Sequence, residues 1–180
     1  MINVVVDFSG SMRPNGKYAI VRNTCVALSL TTKCRFFEWN NKVEEFKIDE
    51  KFDWFSEFSD KAVISVLCEY IDSIDKNGED SLLILTDGSF SFKEKKDLEN
   101  CLSSLGQYKF AIISIGADSL VKMIFSSYEN KIFTPNDVQL VCEFLLSDEY
   151  TVVPKSLDDL NFFKDDGTSQ SKENDGDDWE

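Results

Sequence analysis

The 180 residues suit one domain of ordinary size, and a 42% hydrophobic content with 15 Phe can fill an aromatic core. Acidic residues outnumber basic ones 33 to 19, for a net charge of -14, which excludes non-specific binding to nucleic acid or an anionic membrane, since both need clustered positive charge. The chain has no His and five Cys, so a catalytic Cys lacks its usual imidazole partner and a zinc site would need scattered thiolates.

The chain opens on Met1-Ile2-Asn3-Val4-Val5-Val6, with no basic and apolar leader ahead of it, so no signal peptide is expected. Val4 to Val6 form an apolar β-branched run that reads as a buried parallel strand, ended by Asp7-Phe8-Ser9-Gly10-Ser11. After the turn at Pro14-Asn15-Gly16, the spacing of Tyr18, Val21, Cys25 and Leu28 predicts a helix from Lys17 to about Leu30. Cys34 to Trp39 reads as a second strand and Val43 to Ile48 as a third. The short Asn40-Asn41 turn between them requires an antiparallel pair. Asp49 to Phe58 is assigned to loop.

Ala62, Val63, Val66, Leu67, Tyr70, Ile71 and Ile74 recur at helical spacing, with Ser59 placed as N-cap and Asn77-Gly78 as the stop. Ser81 to Thr86 is a buried strand ended by Asp87-Gly88. Leu98, Cys101, Leu102 and Leu105 mark the next helix, and Phe110 to Ile115 a strand. Leu120, Val121, Ile124 and Phe125 suggest a helix, Lys131 to Thr134 a short strand, and Val138, Val141, Cys142 and Leu145 a last helix. Most of the Cys fall in these apolar patterns and read as small core residues of a reduced, cytoplasmic protein. No apolar run is long enough to span a membrane.

Strands alternating with helices predict an α/β domain over residues 1–153, with a mainly parallel sheet covered on both faces. Residues 154–180 are rich in Asp and Glu and read as an acidic, disordered tail. Ligands of such sheets sit at the carboxyl ends of the strands, and two of those ends carry Asp7 and Asp87.

Asp7, Ser9 and Ser11 set three short oxygen side chains on alternate residues of a loop. A hard cation such as Mg²⁺ takes this kind of donor set, with charge from the carboxylate and neutral oxygens from the hydroxyls. Gly10 is expected to let the backbone curl around the ion. The plain alternative for Asp7 and Ser9 is a turn and a helix cap.

Asp7-x-Ser9-x-Ser11 resembles the DxSxS signature of the von Willebrand factor A family, where it forms the metal-ion-dependent adhesion site. Thr86-Asp87-Gly88, after Leu82 to Leu85, is similar to the second part of that site. The resemblance implies a Rossmann-like, three-layer fold of about six strands with one antiparallel edge. It also implies a Mg²⁺ ion (or Mn²⁺ or Ca²⁺) held by Asp7, Ser9, Ser11 and Asp87. Family members commonly add a Thr ahead of the third helix. Here Ser59 takes that place, with Ser56 as the alternative.

The family implies recognition without catalysis: an acidic residue of a protein partner completes the coordination. It further implies a stand-alone bacterial type, serving as adaptor to an AAA+ ATPase or a stress system. Two other readings stay open. One is a metal-dependent phosphohydrolase, although Ser9 stands where that chemistry wants a second Asp. The other is a structural subunit with a vestigial metal site. Trp54, Phe55 and Phe58 precede Ser59 and read as loop packing near the metal rim, with partner anchoring as their other role. Arg13 and Lys17 read as solvated surface charge, with steering of an acidic ligand as the alternative.

Overall fold

The computed structural model describes residues 1–48, 58, 61–75 and 79–147. The apolar run after Met1 forms β1 (Ile2–Asp7), whose six residues are all buried. A strand buried on both faces belongs at the centre of a sheet, and β1 lies between β2 (Cys34–Trp39) and β4 (Ser81–Thr86), parallel to both. The remaining strands are β3 (Val43–Phe46), β5 (Phe110–Ser114) and β6 (Ile132–Phe133), in the order β3-β2-β1-β4-β5-β6. Among the described strands, only β3 runs antiparallel. Its hairpin is closed by Asn40, whose Oδ1 accepts from Lys42 N at 3.1 Å and whose N–H donates to Lys42 O. An Arg35–Glu45 pair at 2.7 Å lies across the same hairpin, placing charge on the sheet edge.

The helices are α1 (Lys17–Thr31), α2 (Ile64–Ser73), α3 (Phe92–Ser103), the single turn α4 (Val121–Ile124) and α5 (Val138–Leu146). Alternation along the strands divides them between two layers. Val4, Val6, Leu83, Leu85 and Ile113 pack with Val21, Cys25 and Leu28 of α1 and Val141 and Leu145 of α5. Val5, Leu82, Ile84 and Ile112 face the other way, onto Leu67 and Ile71 of α2 and Leu98 and Leu102 of α3. Each fully buried Leu or Ile contributes roughly 2–3 kcal/mol.

The expected order of elements holds throughout, and the boundaries move in places. The helix marked by Ala62 and Val63 starts later, at Ile64, with Val63 as its N-cap in place of Ser59. Trp39 Nε1 donates to Val63 O and Val63 N donates to Asn40 O, so Val63 is tied to the β2–β3 turn and cannot enter the helix. Asn77-Gly78 and residues 148–180, including the expected tail, lie outside the described residues. Cys25 and Cys142 are buried, and burial pushes the Cys34 thiol up to about 12 and Cys142 up to about 11, so these are core thiols. Among the described residues, no helix is long and apolar enough to cross a membrane.

Candidate metal site

Strands β1 and β4 are parallel neighbours in register, Val6 beside Leu85, so they deliver their last residues to one point at the top of the sheet. Asp7 ends β1 with no solvent exposure. Its Oδ1 accepts from Ser9 N at 2.8 Å and its Oδ2 from Thr86 Oγ1 at 2.7 Å. Thr86 Oγ1 in turn accepts from Gly88 N at 3.1 Å. Burial pushes the Asp7 carboxyl up to about 6, with the nearby Asp87 charge adding to it, against the hydrogen bonds from Ser9 and Thr86.

The hydroxyls complete the cluster. Ser9 Oγ and Ser11 Oγ share a hydrogen bond of 3.0 Å, and Ser11 Oγ donates to Asp87 Oδ1 at 3.2 Å. Ser89 N also donates to Asp87 Oδ1, at 2.9 Å. The expected ligands Asp7, Ser9, Ser11 and Asp87 therefore do come together, from loops 76 or more residues apart. Ser59 and Ser56 lie outside the described residues. Their described neighbours flank the site: Phe58 stacks on Phe8 with centroids 4.3 Å apart, and Lys61 and Ala62 line the cavity beside Ser9. That cavity, about 210 Å³, opens over Ser9, Gly10, Ser11, Ser89 and Phe90. Phe58 is fully buried, as expected of a packing residue. Trp54 and Phe55 lie outside the described residues.

Two expectations need correction. Gly10 is not at positive φ. It opens a 3-10 turn, Gly10–Met12, that any residue could adopt. Lys17 is not a solvated surface charge: it is 3% exposed. Its Nζ donates to Asp87 Oδ2 at 2.8 Å and to Ser11 O at 3.3 Å, and lies 3.1 Å from Asp118 Oδ2. Burial alone would push this ammonium down, yet the bonds to Asp87 and Asp118 outweigh that and hold it above its ordinary value. Lys17 occupies the Asp87 oxygen turned away from the hydroxyls; among the described residues, Asp7 has only the neutral donors Ser9 and Thr86.

Gly88 shapes the floor of the site. It sits at φ +73°, and a Cβ there would come 2.8 Å from Val121 N. That close approach lets the β5–α4 loop hold Asp87, whose carbonyl accepts from Leu120 N at 2.8 Å and Ser119 Oγ at 3.1 Å.

The residues fit a hard divalent ion. No three His, Cys, Asp or Glu side chains gather into a metal site among the described residues. The set here is two buried carboxylates and two hydroxyls, all oxygen, with the Lys17 ammonium behind one of the carboxylates. Such a set suits Mg²⁺ or Mn²⁺ better than a soft ion.

Sequence reasoning placed Lys17 beside the site but read it as solvated, and missed Asp118 and the hydrogen-bonding role of Thr86. A signal for Lys17 was present: a Lys at the first position of a helix, with no acid in that first turn, opposes the helix dipole and calls for another reason to be there.

No family model matches the sequence, and no curated protein matches it. Among solved structures the chain is similar to the manganese-loaded TRAP protein of Plasmodium vivax, with a TM-score of 0.60 and 13% identity over 81% of this chain and 72% of that one. It is also similar to proximal thread matrix protein 1 of the mussel byssus (TM-score 0.54, 13% identity, 81% of this chain and 47% of that one). The same mussel protein with a zinc-occupied MIDAS motif gives a TM-score of 0.51 at 11% identity, over 81% of this chain and 46% of that one. The chain thus spans about half the length of the mussel protein. At these identities the likeness is one of fold. The six-stranded mixed sheet with one antiparallel edge and helices on both faces is the von Willebrand factor A type of Rossmann-like fold.

Proposed function

We propose that the chain is a metal-dependent protein-interaction module and carries out no reaction of its own. The observation that carries this reading is the convergence of Asp7, Ser9, Ser11 and Asp87 beside an open cavity at the carboxyl ends of β1 and β4. The fold it shares with a manganese-loaded and a zinc-occupied protein supports it. Ser9 and Ser11 would hold Mg²⁺ or Mn²⁺ through their hydroxyls, Asp7 and Asp87 would balance its charge, and Ser59 is the proposed fifth ligand.

A divalent ion with so little protein charge around it supplies an electrophilic centre able to take one more carboxylate. In this reading that carboxylate comes from a partner protein, which enters over Ser9, Ser89 and Phe90. The rim offers what such a partner needs. Lys61 is exposed at the cavity edge and paired with Glu94 at 2.5 Å, and Phe92, two residues beyond the cavity-lining Phe90, is 84% exposed. An adaptor of an AAA+ ATPase in a cytoplasmic stress system is the setting proposed for it.

Mn²⁺ titration followed by electron paramagnetic resonance tests the site. One bound ion is expected in the wild type, with Ser9→Ala and Asp7→Ala each losing it while keeping the wild-type circular dichroism. Affinity capture from the source cells, with and without EDTA, tests the use of the site. Partners retained equally in chelator would refute the metal bridge.

A further inference from the structure

Lys17 stands at the first position of α1, where a cation opposes the helix dipole, and is nonetheless 3% exposed. Two consecutive residues with left-handed backbone, Asn15 at φ +58° and Gly16 at φ +73°, turn the chain into the helix at this point. Asn15 is further tied to the site, donating to Asp118 Oδ2 at 3.4 Å. The stem of Lys17 lies in a place made for it: Gly116 is at φ +90°, and a Cβ there would come 2.8 Å from Lys17 Cε and 3.2 Å from Cγ. The ammonium then meets Asp87 Oδ2 at 2.8 Å, Asp118 Oδ2 at 3.1 Å and Ser11 O at 3.3 Å. Ser11 and Ser89 engage the other oxygen of Asp87.

Two carboxylates, Asp7 and Asp87, are buried at this end of the sheet, and burying a charge without a counter-charge is costly. Lys17 offsets one of them and leaves the other to neutral donors. From this arrangement we propose that Lys17 is a built-in counter-cation of the site: it lets the domain stay folded with no metal bound, and it sets how tightly a divalent ion is held. The inference rests on the proposed metal site. Ion and ammonium both draw on the Asp87 carboxylate, so each weakens the other's hold. A residue with this role is legible in binding as well as in stability, and in opposite directions.

The test compares wild type, Lys17→Met and Asp118→Asn, each by thermal unfolding in EDTA and in Mn²⁺ and by Mn²⁺ affinity. One unit charge a few ångströms away, at the effective dielectric of a protein site, alters ion affinity about tenfold or more. Lys17→Met is expected to melt lower than wild type in EDTA, to gain more from Mn²⁺, and to bind Mn²⁺ at least about tenfold more tightly. Asp118 is 53% exposed, so Asp118→Asn should fold normally and, with one negative charge fewer beside the ammonium, bind Mn²⁺ a few-fold more weakly.

A merely structural lysine would lower the melting temperature without tightening the metal. Unchanged affinity and an unchanged Mn²⁺ gain in Lys17→Met overturn the inference. Should Lys17→Met fail to fold even in Mn²⁺, unchanged affinity in Asp118→Asn overturns it. Binding of Mn²⁺ by Lys17→Met but not by wild type keeps the counter-cation and removes the metal-bridge reading. Binding by neither removes both.

Discussion

Replacing Gly88 with Ala isolates the close approach that forms the floor of the site. The added methyl meets two separate penalties. Holding an L residue at φ +73° costs about 1–2 kcal/mol, as any left-handed position does. The new Cβ also falls 2.8 Å from Val121 N and 3.1 Å from Leu120 C, and both are backbone atoms that cannot swing aside. Forcing that loop outward adds about 1–3 kcal/mol, the usual cost of overpacking.

Gly106 supplies the control. It too is left-handed, at φ +58°, but a Cβ there meets nothing within 4 Å. Gly106→Ala should therefore cost about 1 kcal/mol and Gly88→Ala about 3, with the difference reporting the contact alone. In thermal unfolding of a chain this long, that is a fall of roughly 2–4 °C against roughly 6–12 °C. Urea titration at constant m-value gives the same comparison as free energies. Gly88→Ala should also weaken Mn²⁺ binding, because the displaced loop donates to the Asp87 carbonyl through Leu120 N and Ser119 Oγ. Equal costs at the two glycines would refute the reasoning.

Asp7→Asn should make the metal-free protein more stable while removing metal binding. The Asp7 carboxyl is raised from 3.8 to about 6, so its stability penalty is absent below the lower value, grows as pH rises between them, and is complete above about 6. That displacement corresponds to about 3 kcal/mol, of which rearranged hydrogen bonds leave about 1–2 as gain. Unfolding in EDTA at pH 4.5 and pH 8 checks it, and a gain that does not depend on pH would count against burial as the cause.

Glu94 runs the other way. Lys61, then Ser91, holds its carboxyl down at about 2 against an ordinary 4.5, so its contribution is present above pH 4.5 and is lost as pH falls toward 2. Ser91 N and Oγ both donate to Glu94, closing the capping box of α3, but Lys61 is 71% exposed and solvent screens its share. Glu94→Gln should therefore cost only about 1 kcal/mol at pH 7 and flatten the acid limb of the stability curve, as read by denaturant titration from pH 3 to 7. Thr86→Val keeps the shape of a side chain that is 1% exposed but removes the donor to Asp7 and the acceptor of Gly88 N. It should cost about 1–3 kcal/mol and weaken Mn²⁺ binding, as seen by urea titration and calorimetry.

The strands and helices were legible because their signals are local. Val4 to Val6 and Leu82 to Leu85 are apolar on every residue, which only a strand covered on both faces can bury. The helices marked by Leu67 and Ile71, and by Leu98 and Leu102, carry the spacing that puts one face inward. Where a local signal met a long-range tie, the tie decided: Ala62 and Val63 fit the helical pattern, yet the bonds from Val63 to Trp39 and Asn40 hold that residue outside the helix.

The acidic motif was equally readable, since Asp7, Ser9 and Ser11 are neighbours in sequence and Asp87 closes a strand of the same kind. Their charge balance was not. Lys17 reaches Asp87 across 70 residues and Thr86 reaches Asp7 across 79, and no spacing along the chain encodes either meeting. Sequence determined which side chains could serve as ligands, because that depends on chemistry and local spacing. Only the parallel packing of β1 against β4, with α1 entering over them, decided that an ammonium lies behind the carboxylates, because burial and distance are properties of the assembled sheet.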